Sequence, residues 1–473
     1  MTPQAEKDAL ARPPRLRNGR PLVVCVALAV LVGTPLGAAA GPLTAGEQAR
    51  VDRAVEKAVA FLKRSQTTSG AWPLTDGPVR ADAKVPIVLG FSLLPALALL
   101  ESGTPAADPS VRKVADLVRN NAAKIKNTYE VSLAALLLDR LGDPKDEELI
   151  RDLGLRLVAF QGYSGGWGYS CPTLSKKNRD DLWQALRELP EEEEEGPTRS
   201  ARREAPGRKA PPALRVLAIY QPPAKLLRPT EPLDLQQVLY VGTTDNSNTQ
   251  FALLALWAAR RHGVPVGRTL RLAARRFERS QRPDGTWDYH YPTGGFGGAG
   301  RGTRAMTAVG LLALALRHGV KDGPGPRRPD AERRVVAGLA ALSREIDVPT
   351  GQMERRVPLP GFFFLWSVER VGVLYGLPTL ADRDWYRWGA EALVTNQTER
   401  GDWRLSTHPR DLDPGGIACV RTAFALLFLK RSNLAPDLTA KLPFKTEELN
   451  RAVRAVRAGG APAEVPSPGG GAR

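Results

Sequence analysis

The chain is poor in cysteine, with three in 473 residues, and no Cys-x-x-Cys or His-Glu-x-x-His spacing occurs. A dedicated zinc site therefore has no support, and neither a metal nor a cofactor is expected. Aromatic residues are also few, at 6%. Alanine, leucine and arginine are abundant instead, which is a helical composition. Acid is short relative to base, since 67 Lys and Arg face 50 Asp and Glu for a formal charge of +17. The arginines are scattered along the chain rather than gathered in one patch, which argues against nucleic acid as a partner. Attraction to an anionic membrane surface or envelope polymer is the expected consequence.

The first 40 residues read as an export signal. Lys7, Arg12, Arg15, Arg17 and Arg20 precede an apolar run from Leu22 to Val32, and Gly33, Pro35 and Gly37 lead into Ala38-Ala39-Ala40. That run is shorter than the roughly 20 residues that span a bilayer. Cleavage near Ala40 and a periplasmic or envelope location are expected, with an uncleaved N-terminal anchor as the alternative. Removing the leader's five basic and two acidic residues leaves the mature chain near +14. Cys171 and Cys419 remain in it, and sequence leaves their pairing open.

From Glu47 onward two kinds of apolar segment alternate. Residues 47 to 66, EQARVDRAVEKAVAFLKRSQ, place Val51, Val55, Ala58, Val59 and Leu62 at helical spacing between charges, the pattern of an outer helix. FALLALWAAR (251 to 260) and TAFALLFLKR (422 to 431) are apolar on most faces and belong inside. Six such pairs can be drawn, at 47–103, 109–142, 147–263, 267–319, 330–376 and 382–430. A helix pair of this size cannot bury its apolar face alone, so the pairs must stack or close into a ring. An insertion at 172–235, with acids 191 to 195 and a proline-rich basic stretch, lacks the apolar mass to order itself. Residues 431–473 read as a flexible C-terminal tail.

Four of the pairs carry Gln-x-x-x-Gly-x-Trp between their helices: Gln66/Gly70/Trp72, Gln161/Gly165/Trp167, Gln281/Gly285/Trp287 and Gln397/Gly401/Trp403. The residue types suit structural ties, with glutamine on backbone groups, glycine in a tight turn and tryptophan against the neighbouring pair. This spacing resembles the QW repeats of the terpene (squalene) cyclase and protein prenyltransferase superfamily, over about 47–430. The resemblance implies an all-α fold, an α/α toroid of six inner and six outer helices.

The family's chemistries are harder to place. In cyclases that protonate a polyene, the resemblance implies an Asp-x-Asp-Asp motif followed by Thr, and the counterpart is Asp245-Asn246-Ser247-Asn248-Thr249, where Ser247 stands in the acid's position. The prenyltransferase zinc ligands have no counterpart in GFFFLWS (361 to 367) or CVRTAFALL (419 to 427). What remains is a polar and aromatic mouth at the starts of the inner helices. Tyr129, Glu130, Tyr163, Trp167, Tyr169, Asp245, Asn246, Asn248, Trp287, Tyr289 and Arg421 are the candidate ligand-lining residues. Asp245, Asp288 and His290 are the weak catalytic candidates, since a buried carboxyl or an imidazole can move a proton near neutral pH. Three readings stand: a binding or scaffolding module for an apolar small molecule or an envelope protein, an isoprenoid enzyme with Asp245 as an unconventional acid, and a carbohydrate-active enzyme drawing a carboxylate pair from Glu130, Asp245, Asp288 and Asp402.

Overall fold

The computed structural model describes residues 42–74, 89–162, 164–188, 244–291, 302–320, 329–351, 353–405, 417–442 and 444–459. The chain divides into a unit of residues 1–39 and a second of 40–473. The expected leader and most of the insertion lie outside the described residues. Among the described residues, no helix is long and apolar enough to cross a membrane.

The outer helices are Ala45–Ser65 (α1), Pro109–Asn121 (α3), Glu147–Ala159 (α5), Gly267–Ser280 (α8), Pro329–Ser343 (α10) and Trp385–Asn396 (α12). In α1 a capping box between Thr44 and Glu47 sets the start, and Val51, Ala54, Ala58, Phe61 and Leu62 form the buried stripe. The inner helices are Leu89–Glu101 (α2), Thr128–Leu141 (α4), Asn246–Ala259 (α7), Arg304–Val320 (α9), Phe362–Leu374 (α11) and Ala418–Lys430 (α13). All fourteen residues of α7 are buried, as its all-round apolar pattern requires.

Contacts between inner helices run in a closed circuit. α2 packs on α4, α4 on α7, α7 on α9, α9 on α11, α11 on α13, and α13 back on α2. The outer helices pack against this circuit, and α12 also meets α1, joining the last pair to the first. The fold is an all-α toroid. A two-residue ladder, Thr244–Asp245 (β1) against His290–Tyr291 (β2), lies at the entrance to α7.

Two boundaries drawn from composition are corrected. Residues 431–473 are not one flexible tail, because Pro436–Lys441 (α14) and Thr446–Arg457 (α15) are helices with Leu438, Leu449, Ala452 and Val453 buried. α14 packs on α9 and α11, and α15 on α10. The glycine and proline of the final residues obscured this apolar spacing. The insertion likewise begins with an ordered helix, Lys176–Glu188 (α6), which packs on α5 through Leu182 and Leu186. Cys171 and Cys419 are both buried. Burial pushes the Cys171 thiol up to about 12, so it is neutral at pH 7.

Candidate functional site

The repeated motif is a set of ties. Each glutamine Nε2 donates to the carbonyl of its own glycine and to a carbonyl of an outer helix belonging to the next pair. The second bonds are Gln66 to Ser110 at 2.9 Å, Gln161 to Thr269 at 2.9 Å, Gln281 to Arg334 at 2.9 Å and Gln397 to Ala54 at 2.8 Å. Each tryptophan Nε1 donates to the carbonyl ten residues earlier, Trp72 to Leu62, Trp167 to Leu157, Trp287 to Phe277 and Trp403 to Leu393, at 2.8–2.9 Å. Trp167 and Trp287 therefore do not line a ligand site. Both are fully buried with their one polar group bonded to backbone, which corrects the expectation for them.

The mouth is built at the start of α7. Asp245 caps the helix, accepting from the Asn248 backbone N–H at 2.7 Å and from Asn248 Nδ2 at 2.7 Å. Thr249 Oγ1 donates to the Asp245 carbonyl at 2.6 Å and accepts from the Trp167 backbone N–H at 3.1 Å, joining this start to the tie before it. Asn246 donates from Nδ2 to the Asp288 carbonyl at 2.7 Å. The buried Arg276, which sequence reasoning missed, donates to Asn246 Oδ1 from Nε at 3.0 Å and from Nη2 at 2.9 Å, and from Nη1 to Thr244 Oγ1 at 2.7 Å and Ser164 Oγ at 2.9 Å. Burial holds its guanidinium down to about 10. Asn246 and Asn248 thus organise the entrance: both ends of the Asn246 amide are bonded to protein groups, whereas Asn248 donates from Nδ2 to Asp245 and its buried Oδ1 has no hydrogen-bond partner.

Tyr129, Tyr169, Ser247, Tyr289 and His290 are brought together beside this cap. Tyr129 Oη donates to Ser247 Oγ at 2.8 Å, and its ring lies 6.0 Å from Tyr169 and 5.2 Å from Phe251. Tyr289 packs edge-on to His290 at 4.9 Å, and His290 stands opposite Asp245 in the ladder. Burial, and then the neighbouring Asp245, push the Tyr129 and Tyr289 phenols above their ordinary range. Tyr163 lies outside the described residues. Arg421 is buried and donates from Nε to the Trp403 carbonyl at 3.0 Å, a tie-like contact.

The four acids considered for catalysis are engaged in structural bonds. Both Asp245 oxygens accept from Asn248, Glu130 accepts from the Gly90 backbone N–H at 3.2 Å, Asp288 pairs with Arg282 at 3.0 Å, and Asp402 is bonded by Arg400 and Thr398. Burial raises the Asp245 carboxyl above its ordinary 3.8, against the opposing bonds from Asn248 and the charges of His290 and Arg276. The folded state then holds that proton more tightly than the unfolded chain, so this group's contribution to stability falls as pH rises above 3.8. Asp245→Asn should flatten that term while keeping the cap. Denaturation of the two proteins from about pH 3.5, at the ordinary carboxylate value, to about pH 7 checks this: the variant should gain on wild type as pH rises, and parallel curves would refute it.

Beyond the mouth, aromatic side chains occupy the ring axis. Phe251 on α7 meets Trp366 on α11 at 5.2 Å, and Trp366 meets Phe424 on α13 at 5.0 Å. α7 and α11 are not neighbours in the circuit, so the first contact crosses it. Arg370 makes a second crossing, donating to Gln250 Oε1 at 2.6 Å. Glu369 is completely buried with neither oxygen hydrogen-bonded, and burial raises its carboxyl well above 4.5. Sequence reasoning missed this pair, although two adjacent charges in the apolar FFFLWSVERVGVL (362 to 374) were the available signal.

Comparison with protein-family models returns no match, and neither does comparison with curated proteins. Among solved structures, the chain is similar to a variant of the type II terpene cyclase MstE from Scytonema in complex with the substrate geranylgeranyl dihydroxybenzoate, at 12% identity and a TM-score of 0.44, covering 83% of this chain and 99% of that one. It is also similar to a glycosidase variant in complex with glucose, at 16% identity and a TM-score of 0.36, covering 85% and 100%. A protein from Actinoplanes aligns at 15% identity and a TM-score of 0.27, covering 81% and 99%.

Proposed function

We propose that this protein is an exported toroid that binds its ligand without transforming it, with the Tyr129, Tyr169, Ser247, Tyr289 and His290 mouth as the contact surface. The observation that carries the reading is the state of Asp245, whose two oxygens both accept from Asn248, so it is held as a helix cap and not as an acid aimed at a substrate. The filled axis points the same way, since an apolar molecule entering along it would have to displace Phe251, Trp366 and Phe424. Phenols and a hydroxyl at the rim suit a ligand with both polar groups and apolar faces. The basic leader motivates export, and the net positive charge of the mature chain favours an anionic envelope surface nearby.

A second reading rests on Glu369. A carboxyl that burial raises well above 4.5, three residues from Trp366, is shifted toward the neutral form that a proton donor needs, and such a donor would make the protein an enzyme. One experiment separates the two. Protein beginning at Gly41 is incubated with lipid and glycan extracts of the native envelope, and bound and released molecules are identified by mass spectrometry. Binding alone predicts a saturable, stoichiometric adduct recovered unchanged and weakened about tenfold or more in Tyr129→Ala, a loss typical of a contact that carries binding energy. A chemically altered product that disappears in Glu369→Gln would overturn the binding reading in favour of the second.

A further inference from the structure

The groups that meet at the mouth are hydroxyls and aromatic rings. Tyr129, Tyr169 and Tyr289 are each half-buried, and the Tyr289 phenol stands within electrostatic reach of the other two. Tyr129 and Tyr169 are inclined at 54° with ring centroids 6.0 Å apart, so neither face is spent on stacking against the other. Ser247 Oγ accepts from Tyr129 and can donate in turn.

The charges beside this cluster are already engaged. Asp245 and Arg276 are each 2% exposed. Asp245 is bonded to Asn248 through both oxygens, and Arg276 is bonded to Asn246, Thr244 and Ser164. Asp288 is paired with Arg282 at 3.0 Å. Glu130 is turned toward α2, where it accepts from the Gly90 backbone N–H, while Tyr129 beside it reaches α7. Among the described residues, the cluster therefore offers a charged ligand no open counter-charge. Depth is limited as well. Phe251, against which Tyr129 packs at 5.2 Å, continues into Trp366 and Phe424, so a long alkyl or polyprenyl chain finds the axis occupied. The ligand that fits is shallow and uncharged, with hydroxyls set around apolar C–H faces, and those are the properties of a sugar ring.

We infer that the mouth recognises a neutral saccharide unit, with a C–H face against the Tyr129, Tyr169 and Tyr289 rings and hydroxyls bonded to the phenols, Ser247 and His290. This assignment rests on the binding reading above and narrows it to one ligand class. Protein beginning at Gly41 is titrated calorimetrically with cellohexaose, maltohexaose and mannohexaose at about pH 8, above the ordinary imidazole range. The expected result is saturable binding of at least one of them, with a Kd unchanged between about 50 and 500 mM sodium chloride because no ion pair forms. Tyr169→Ala and Tyr289→Ala should each weaken it about tenfold or more, and Tyr169→Phe, which keeps the ring, about two- to tenfold. Should the alanine variants not fold, Tyr169→Phe and Tyr289→Phe decide. No saturable binding of any of the three sugars, or an affinity that falls with salt, would overturn the assignment. If the envelope extracts then still yield an adduct dependent on Tyr129, the binding reading stands with another ligand class; if they yield none, both fall.

Discussion

Gly401→Ala is expected to lower the unfolding free energy by about 3–5 kcal/mol, from left-handed backbone strain combined with overpacking. Gly401 sits at φ +86, and a Cβ there would lie 2.3 Å from the Lys57 carbonyl oxygen of α1. The same motif's Gln397 donates to the Ala54 carbonyl one turn earlier. This is the tie that joins the last outer helix to the first, so displacing it opens the circuit where its two ends meet. Gly103→Ala is the control, because Gly103 has φ +92 with nothing within 4 Å of the added carbon. It should lose only the conformational part, about 1–2 kcal/mol. Chemical denaturation of both variants measures the difference. Equal losses would mean that close approach to α1 contributes nothing.

Trp287→Ala should cost about 4–5 kcal/mol, the upper part of the range for truncating a buried aromatic. The indole sits over Gly310 of α9 and Gly338 of α10, where a Cβ would come within 2.4 Å and 3.0 Å of its ring atoms. Those glycines exist to admit it, so the wall cannot collapse cheaply into the space left behind. The Phe277 carbonyl also loses its donor. Trp287→Phe should restore much of the packing and retain a loss of about 1–3 kcal/mol for that unsatisfied carbonyl. Denaturant midpoints decide the matter. A stable Trp287→Ala protein would return Trp287 to the ligand-lining role expected from sequence.

The helices were legible because each one's burial is a periodic property of its own residues. α1 shows its stripe at every third or fourth position, and α7 shows none because every face is covered. The ties were legible for a related reason. A tryptophan that bonds ten residues back and a glutamine that bonds four ahead leave a fixed spacing in the chain. The mouth was legible only in part. TTDNSNTQ marked the entrance to α7, but its partners Arg276, Asp288 and Tyr129 come from separate segments.

By itself, then, the sequence determined the all-α class, the alternation of outer and inner helices, and the residues that join one pair to the next. Those features depend on contacts between near neighbours or on the polarity of single helix faces, which short-range order encodes. Tertiary structure decided that Asp245 is a cap, that Trp167 and Trp287 are ties, and that residues 436–457 belong to the packed body. It alone placed Glu369 and Arg370 within the ring. Their burial arises when α11 faces α7 across the closed circuit, and no local pattern in either helix specifies which groups meet there.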